Sequence, residues 1–217
     1  MSQIVQRISR SSLHLPKLVA FDLDGTVWTP DMYQLWGGGA PFSVVDEQRE
    51  LSDRSNQPVR LLGIAGQILH SLRHDPAWTQ REATDTATDA DTDTGSYETI
   101  VAWASCTDEP GWADECLRKF KSSPDPSSSA AATEPVPLHT LAHSSQVYKA
   151  NKGQHMRKLQ QEYPHIAFSE MLFFDNERHN TAATAKLGVV SLHCPHGLTA
   201  EAWEEGLRLY ANTKEKR

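Results

Sequence analysis

The apolar positions of this 217-residue chain come in short continuous runs separated by stretches of helical period. Leu18, Val19, Ala20 and Phe21 form the first run, which predicts a buried strand over Lys17–Asp22, broken by the turn signal of Gly25. Residues 27–60 hold Trp28, Trp36, Gly37-Gly38-Gly39 and Pro41-Phe42 with no sustained period, and read as an irregular flap or hairpin. Ile64, Ile68, Leu69 and Leu72 then share one helical face. Thr99–Ser105 reads as a strand ending in small polar residues, followed by a helix with Thr107 or Asp108 as its cap and Trp112, Cys116, Leu117 and Phe120 on one face. A short strand near Leu141–Tyr148 leads to Lys152 and a helix bearing Met156, Leu159 and Tyr163. Met171–Asp175 is another buried strand, then a helix, then a strand over Val189–Leu192. The last helix aligns Trp203, Leu207 and Tyr210, with Glu201 early and Lys214, Lys216 and Arg217 late, as its dipole favours. Strands alternating with helices predict an α/β fold: a doubly wound, mainly parallel sheet with helices on both faces.

Two stretches break this rhythm. Residues 82–98 alternate Asp85, Asp89, Asp91 and Asp93 with Thr and Ala, and residues 122–137 are rich in Ser, Pro and Ala. Both read as low-complexity insertions too polar to pack, within one domain spanning 17–212 between tails at 1–16 and 213–217. A calcium loop counted from Asp89 fails, because its sixth and twelfth positions hold Thr94 and Ile100 in place of Gly and Glu. A net charge of −7 with no Lys/Arg cluster argues against nucleic-acid binding. Cys106, Cys116 and Cys194 cannot all pair and match no zinc spacing, which points to a reducing compartment. No apolar run is long enough to span a membrane, and Ile4-Val5 begins no signal-peptide core. Arg7 and Arg10 among serines faintly suggest a transit peptide, but a short tail is preferred. The expectation is a cytoplasmic or nucleocytoplasmic monomer.

The candidate chemistry lies at the strand ends. Asp22 and Asp24 are two residues apart, so they project the same way from the carboxyl end of the first strand, where open α/β sheets place their ligands. Such a pair suits phosphoryl transfer, one carboxylate attacking phosphorus and the other carrying the proton. Singly, the remaining candidates have plainer explanations. Ser105 could bond to backbone at a strand end, Lys152 could be an exposed residue opening a helix, and Asp175 could cap the next helix. Their order along the chain is what those explanations do not predict.

Asp22-Leu23-Asp24-Gly25-Thr26-Val27-Trp28, Ala104-Ser105-Cys106-Thr107, Tyr148 through Lys152, and Phe173-Phe174-Asp175-Asn176-Glu177-Arg178-His179-Asn180 together resemble the four motifs of haloacid-dehalogenase-like phosphatases. Within that superfamily the chain looks most like the small eukaryotic magnesium-dependent phosphatases, over about residues 17–212. The resemblance implies a Rossmann-like fold with little or no cap domain. It makes Asp22 the nucleophile that becomes aspartyl-phosphate, and Asp24 the acid and then the base. Ser105, Lys152 and Thr26 would serve the phosphate, with Thr26 also orienting the nucleophile loop. Mg²⁺ would sit on Asp22, the Asp24 backbone carbonyl and Asp175, with Asn176 and Asn180 behind these ligands. Charge supports a cation there: each like-charge pair at roughly 4 Å costs about 4 kcal/mol at an effective dielectric of 20. The implied activity is hydrolysis of phosphomonoesters, either phosphotyrosine-type proteins or sugar adducts such as fructosamine 6-phosphates. Trp28, Trp36 and Phe42 of the flap could stack on a substrate ring or pack in the core.

Two departures from the family pattern stand out. The last motif usually carries two adjacent acids, and here the second is Asn176, which keeps an oxygen ligand but loses a charge. Gly25 stands where relatives often have a larger, aromatic residue, which would open the mouth of the site. The alternatives are a phosphotransferase of the same superfamily and an inactive scaffold that binds phosphorylated partners. His193-Cys194-Pro195-His196 reads as a surface loop, not a zinc site, for want of a second cluster. Cys106 does not start a cysteine-phosphatase loop, because position 112 holds Trp112 where Arg is needed.

Overall fold

The computed structural model describes residues 15–80, 98–126 and 131–215. The 1–16 tail before Leu15, the 82–98 insertion before Glu98, the middle of the 122–137 stretch, and Lys216 and Arg217 therefore lie outside the described residues. In chain order the elements are β1 (Leu18–Phe21), β2 (Trp28–Thr29), β3 (Ser43–Asp46), β4 (Glu50–Ser52), β5 (Pro58–Leu61), α1 (Ala65–His74) and α2 (Pro76–Thr79). There follow β6 (Ile100–Ser105), α3 (Pro110–Lys119), β7 (Ser144–Val147), α4 (Lys152–Glu162), β8 (Met171–Asp175), α5 (Arg178–Ala185), β9 (Val190–His193) and α6 (Ala200–Glu215).

Among the described residues, five strands make one parallel sheet in the order β7-β6-β1-β8-β9. β1 sits in the middle with all four residues buried, as expected of a parallel strand covered on both faces. Alternate residues of β1 serve different layers. Val19 and Phe21 join the apolar faces of α1, α3 and α6, through Leu69, Leu117 and Trp203 among others. Leu18 and Ala20 pack with Met156 and Leu159 of α4 on the opposite face. The chain leaves β1 toward β6 and β7, then returns across it to β8 and β9. That reversal makes the carboxyl end of β1 the topological switch point, where open α/β sheets place their ligands.

The segment expected as a flap is a small antiparallel sheet in the order β2-β5-β4-β3. It is tied to the body at Phe42, whose N–H donates to Glu115 Oε1 at 2.9 Å and whose carbonyl accepts from Lys119 Nζ, both residues of α3. Two boundaries differ from expectation. α3 begins at Pro110, and Thr107 instead accepts the Glu109 N–H at 3.1 Å, since proline without an N–H suits the first helical position. α6 continues through Glu215 into the stretch expected as a tail.

The ends of the 122–137 loop also pack, contrary to its polar composition. Ser122 is fully buried and bonds His70 Nδ1 at 2.9 Å, while Thr133 meets His70 Nε2 at 2.6 Å. Buried polar groups that are satisfied this way are stable inside. Among the described residues no helix is long and apolar enough to cross a membrane.

Candidate active site

Two aromatic residues set the spacing of the two main carboxylates. Phe21 and Phe174 are register partners on adjacent parallel strands, and their rings stack at 5.5 Å and 15°. Asp22 and Asp175 are the next residues on each strand, so they leave the sheet side by side, and the Asp22 N–H donates to Phe174 O at 3.0 Å. Trp203 of α6 backs the stack, 5.4 Å from Phe174.

Lys152 is the first residue of α4, whose start is fixed by Asn151 accepting the Gln154 N–H at 3.0 Å. It is not the exposed helix-opening lysine of the plainer reading, being only 2% exposed. Its Nζ bonds Asp22 Oδ1, donates to Ala104 O at 2.6 Å and lies 3.4 Å from Asp175 Oδ2. Burial alone would push the ammonium down, but the charges of Asp22 and Asp175 outweigh it and hold its pKa above the usual lysine value. Burial and then the Asp22 charge push the Asp175 carboxyl up, against the pull of Lys152.

Asp24 is turned toward the flap. Its Oδ1 accepts from Trp28 Nε1 at 2.8 Å and its Oδ2 from the Met32 N–H at 3.0 Å. Burial raises it to about 7, with the Asp22 charge adding and the Met32 bond opposing. That value suits a group that must donate and then accept a proton near neutrality. Ser105 is 1% exposed at the end of β6, and its Oγ has no hydrogen-bond partner. An unmet buried hydroxyl beside this carboxylate pair is the donor a phosphoryl oxygen needs.

Thr26, expected on the phosphate, is fully buried, with its hydroxyl engaged elsewhere. It accepts the Asn176 N–H at 2.9 Å and donates to Asn176 Oδ1 at 3.4 Å. These bonds tie the loop of Asp22–Thr26 to that of Asp175–Asn176. Asn180 donates to Asp175 Oδ1 at 3.1 Å, and the Glu177 N–H donates to the same oxygen at 2.7 Å. The expected opening at Gly25 is absent: a Cβ there would lie 2.2 Å from Asn176 Nδ2, so the asparagine amide fills the space. Of the flap aromatics, Trp28 and Phe42 are core residues and cannot meet a substrate, while Trp36 is 85% exposed.

The sequence reading missed Asp31, whose carboxyl is raised by burial and then by the Asp22 charge, with Glu177 adding. It follows Thr29-Pro30 in what looks like an ordinary turn, and no spacing distinguishes it. The 193–196 turn is only partly at the surface. Cys194 is buried behind the site, and burial pushes its thiol up to about 12.

The donor set suits a hard divalent cation. Asp175 Oδ2 is buried with the Lys152 ammonium 3.4 Å away, and with Asp22 and the Asp24 carbonyl it would make an all-oxygen set. Among the described residues no three His, Cys, Asp or Glu side chains converge as a metal cluster. The carboxylates that face one another here are those of Asp22 and Asp175, because the Asp24 side chain is turned toward Trp28 and Met32. That limited set fits Mg²⁺, which keeps several waters and takes one or two carboxylates.

Human magnesium-dependent phosphatase 1 is 28% identical over 203 residues, covering 92% of this chain and 90% of that protein. A crystal structure of the N-terminal part of a Bacteroides fragilis protein, containing a phosphatase domain complexed with Mg, superposes with a TM-score of 0.51 at 17% identity. It covers 95% of this chain, which spans 42% of that solved chain, and the likeness is one of α/β fold. The profile of the acid phosphatase family matches residues 14–213, nearly the whole length, and the chain belongs to that family.

Proposed function

We propose that this protein is a magnesium-dependent phosphomonoester hydrolase that works through a covalent phosphoaspartate. The observation that carries the reading is the buried Lys152 ammonium shared by Asp22 and Asp175 beside the unmet Ser105 hydroxyl. Lys152 and Ser105 hold the phosphoryl oxygens and spread the charge that grows on them. An Asp22 carboxylate oxygen attacks phosphorus as the bond to the leaving oxygen breaks. Asp24 gives that oxygen its proton, so the alcohol leaves neutral. Asp24, now a carboxylate, takes a proton from water as the water oxygen attacks phosphorus. Phosphate departs and both aspartates return to their starting states.

Each Asp24 oxygen that accepts an N–H keeps a second lone pair, so the bonds from Trp28 and Met32 aim the carboxyl without blocking its proton. Asp22, the Asp24 carbonyl and Asp175 would hold Mg²⁺, which supplies charge neutralisation and substrate alignment when bound. The identity to the human magnesium-dependent phosphatase supports the metal. The substrates that fit are phosphotyrosine-type proteins and phosphorylated sugar adducts. A flap presenting Tyr33 and Trp36 to solvent favours extended ones.

The test is phosphate release from p-nitrophenyl phosphate with and without Mg²⁺, in wild type and Asp22→Asn. Metal-dependent turnover, lost in the variant, is expected. A folded, Mg²⁺-saturated wild type with no turnover refutes the reading, and transfer to an added alcohol in place of water identifies a phosphotransferase.

A further inference from the structure

We infer that Asn176 is a positioning residue, a latch between the two ligand-bearing loops, and not a ligand of the metal. Three observations converge on this residue. The Asn176 backbone N–H donates to Thr26 Oγ1 at 2.9 Å, and that hydroxyl donates to Asn176 Oδ1 at 3.4 Å. Thr26 itself is fully buried. Gly25, at φ +71°, leaves room for the amide: an added Cβ would fall 2.2 Å from its Nδ2 and 2.7 Å from its Cγ.

The amide oxygen is thus turned to the loop of Asp22–Thr26, where the Thr26 hydroxyl meets it at 3.4 Å. The two departures of this chain, Gly25 and Asn176, are one structural unit. The small residue exists because the asparagine lies over it, and the asparagine replaces an acid because its work is to bridge Asp22–Thr26 to Asp175–Asn176. A carboxylate at position 176 could accept from Thr26 but would bring a third charge beside Asp22 and Asp175. The latch prearranges the two carboxylates without needing the ion, so it acts on the metal through Thr26.

The experiment is carried out on the metal-free full chain. Gly25→Ala lowers the melting temperature in wild type by roughly 3 °C more than it does in an Asn176→Ala background, because only wild type has a latch to displace. Equal losses within about 1 °C in both backgrounds overturn the inference, since contacting residues couple. A second measurement covers poor folding of Gly25→Ala. Calorimetric titration with Mg²⁺ alone compares Thr26→Val, Asn176→Ala and their combination. Thr26→Val is expected to weaken binding by about tenfold, as loss of an orienting partner does, and the double variant to bind no more weakly than Thr26→Val. Losses that multiply, or a loss confined to Asn176→Ala, show a ligand and overturn the latch. If wild type binds no Mg²⁺, the proposed function fails while the melting comparison still decides the latch.

Discussion

Replacing Lys152 by Met removes the buried cation shared by Asp22 and Asp175 while keeping most of the volume. The ammonium lies 3.4 Å from Asp175 Oδ2, bonds Asp22 directly, and its side chain is 1% exposed, so solvent screening is small. One unit-charge attraction at 3.4 Å is worth about 5 kcal/mol at an effective dielectric of 20. Breaking a buried pair from one side costs roughly 3–5 kcal/mol, because a desolvated charge is left behind. The metal-free Lys152→Met protein is therefore expected to lose that much stability in urea unfolding at neutral pH, and its melting temperature to fall by roughly 6–20 °C.

The loss should shrink in two ways. Mg²⁺ restores a positive charge between the carboxylates, so it should stabilise the variant more than wild type. Acid should help too: Asp175 is already raised by burial and by Asp22, and losing Lys152 raises it further. The folded state then binds more protons than the unfolded chain, so stability grows as pH falls from neutral toward the ordinary carboxylate range. A stability loss under about 1 kcal/mol, or equal stabilisation of both proteins by Mg²⁺, refutes the charge argument.

His155 supplies a pH prediction of opposite sign. It is fully buried, and burial, then Lys152, depresses it to about 4. The unfolded chain therefore binds the extra proton between about pH 6.5 and 4, and wild type should lose roughly 3 kcal/mol across that window. His155→Asn should flatten this part of the unfolding-versus-pH curve, and an unchanged slope rejects the assignment. Gly206→Ala places a methyl 2.5 Å from Phe174 Cζ, inside the stack beneath Asp22 and Asp175. Overpacking there should cost roughly 1–3 kcal/mol in urea unfolding, whereas a net gain would show that the helical preference for alanine wins.

The buried runs Leu18–Phe21, Ile100–Ser105 and Met171–Asp175 were legible as strands because a parallel strand covered on both faces must be apolar throughout. The helical faces of α1, α4 and α6 were legible from their period for the same reason, since burial imposes a stripe. Asp22 and Asp24 were legible as candidates because strand ends beside turns are where this architecture places its ligands, whereas Ser105, Lys152 and Asp175 became candidates only through the order of motifs that resemble the phosphatases. Pairings between distant segments were not legible. That Thr26 spends its hydroxyl on Asn176, 150 positions away, and that Asp24 faces the flap follow from loop packing that leaves no local period. Asp31 beside Asp22, and the packed ends of the 122–137 loop on His70, were hidden for the same reason. Local pattern records whether a residue is buried on its own element. Which buried polar group meets which is set only when the chain closes, because each desolvated donor and acceptor must find its partner across the fold.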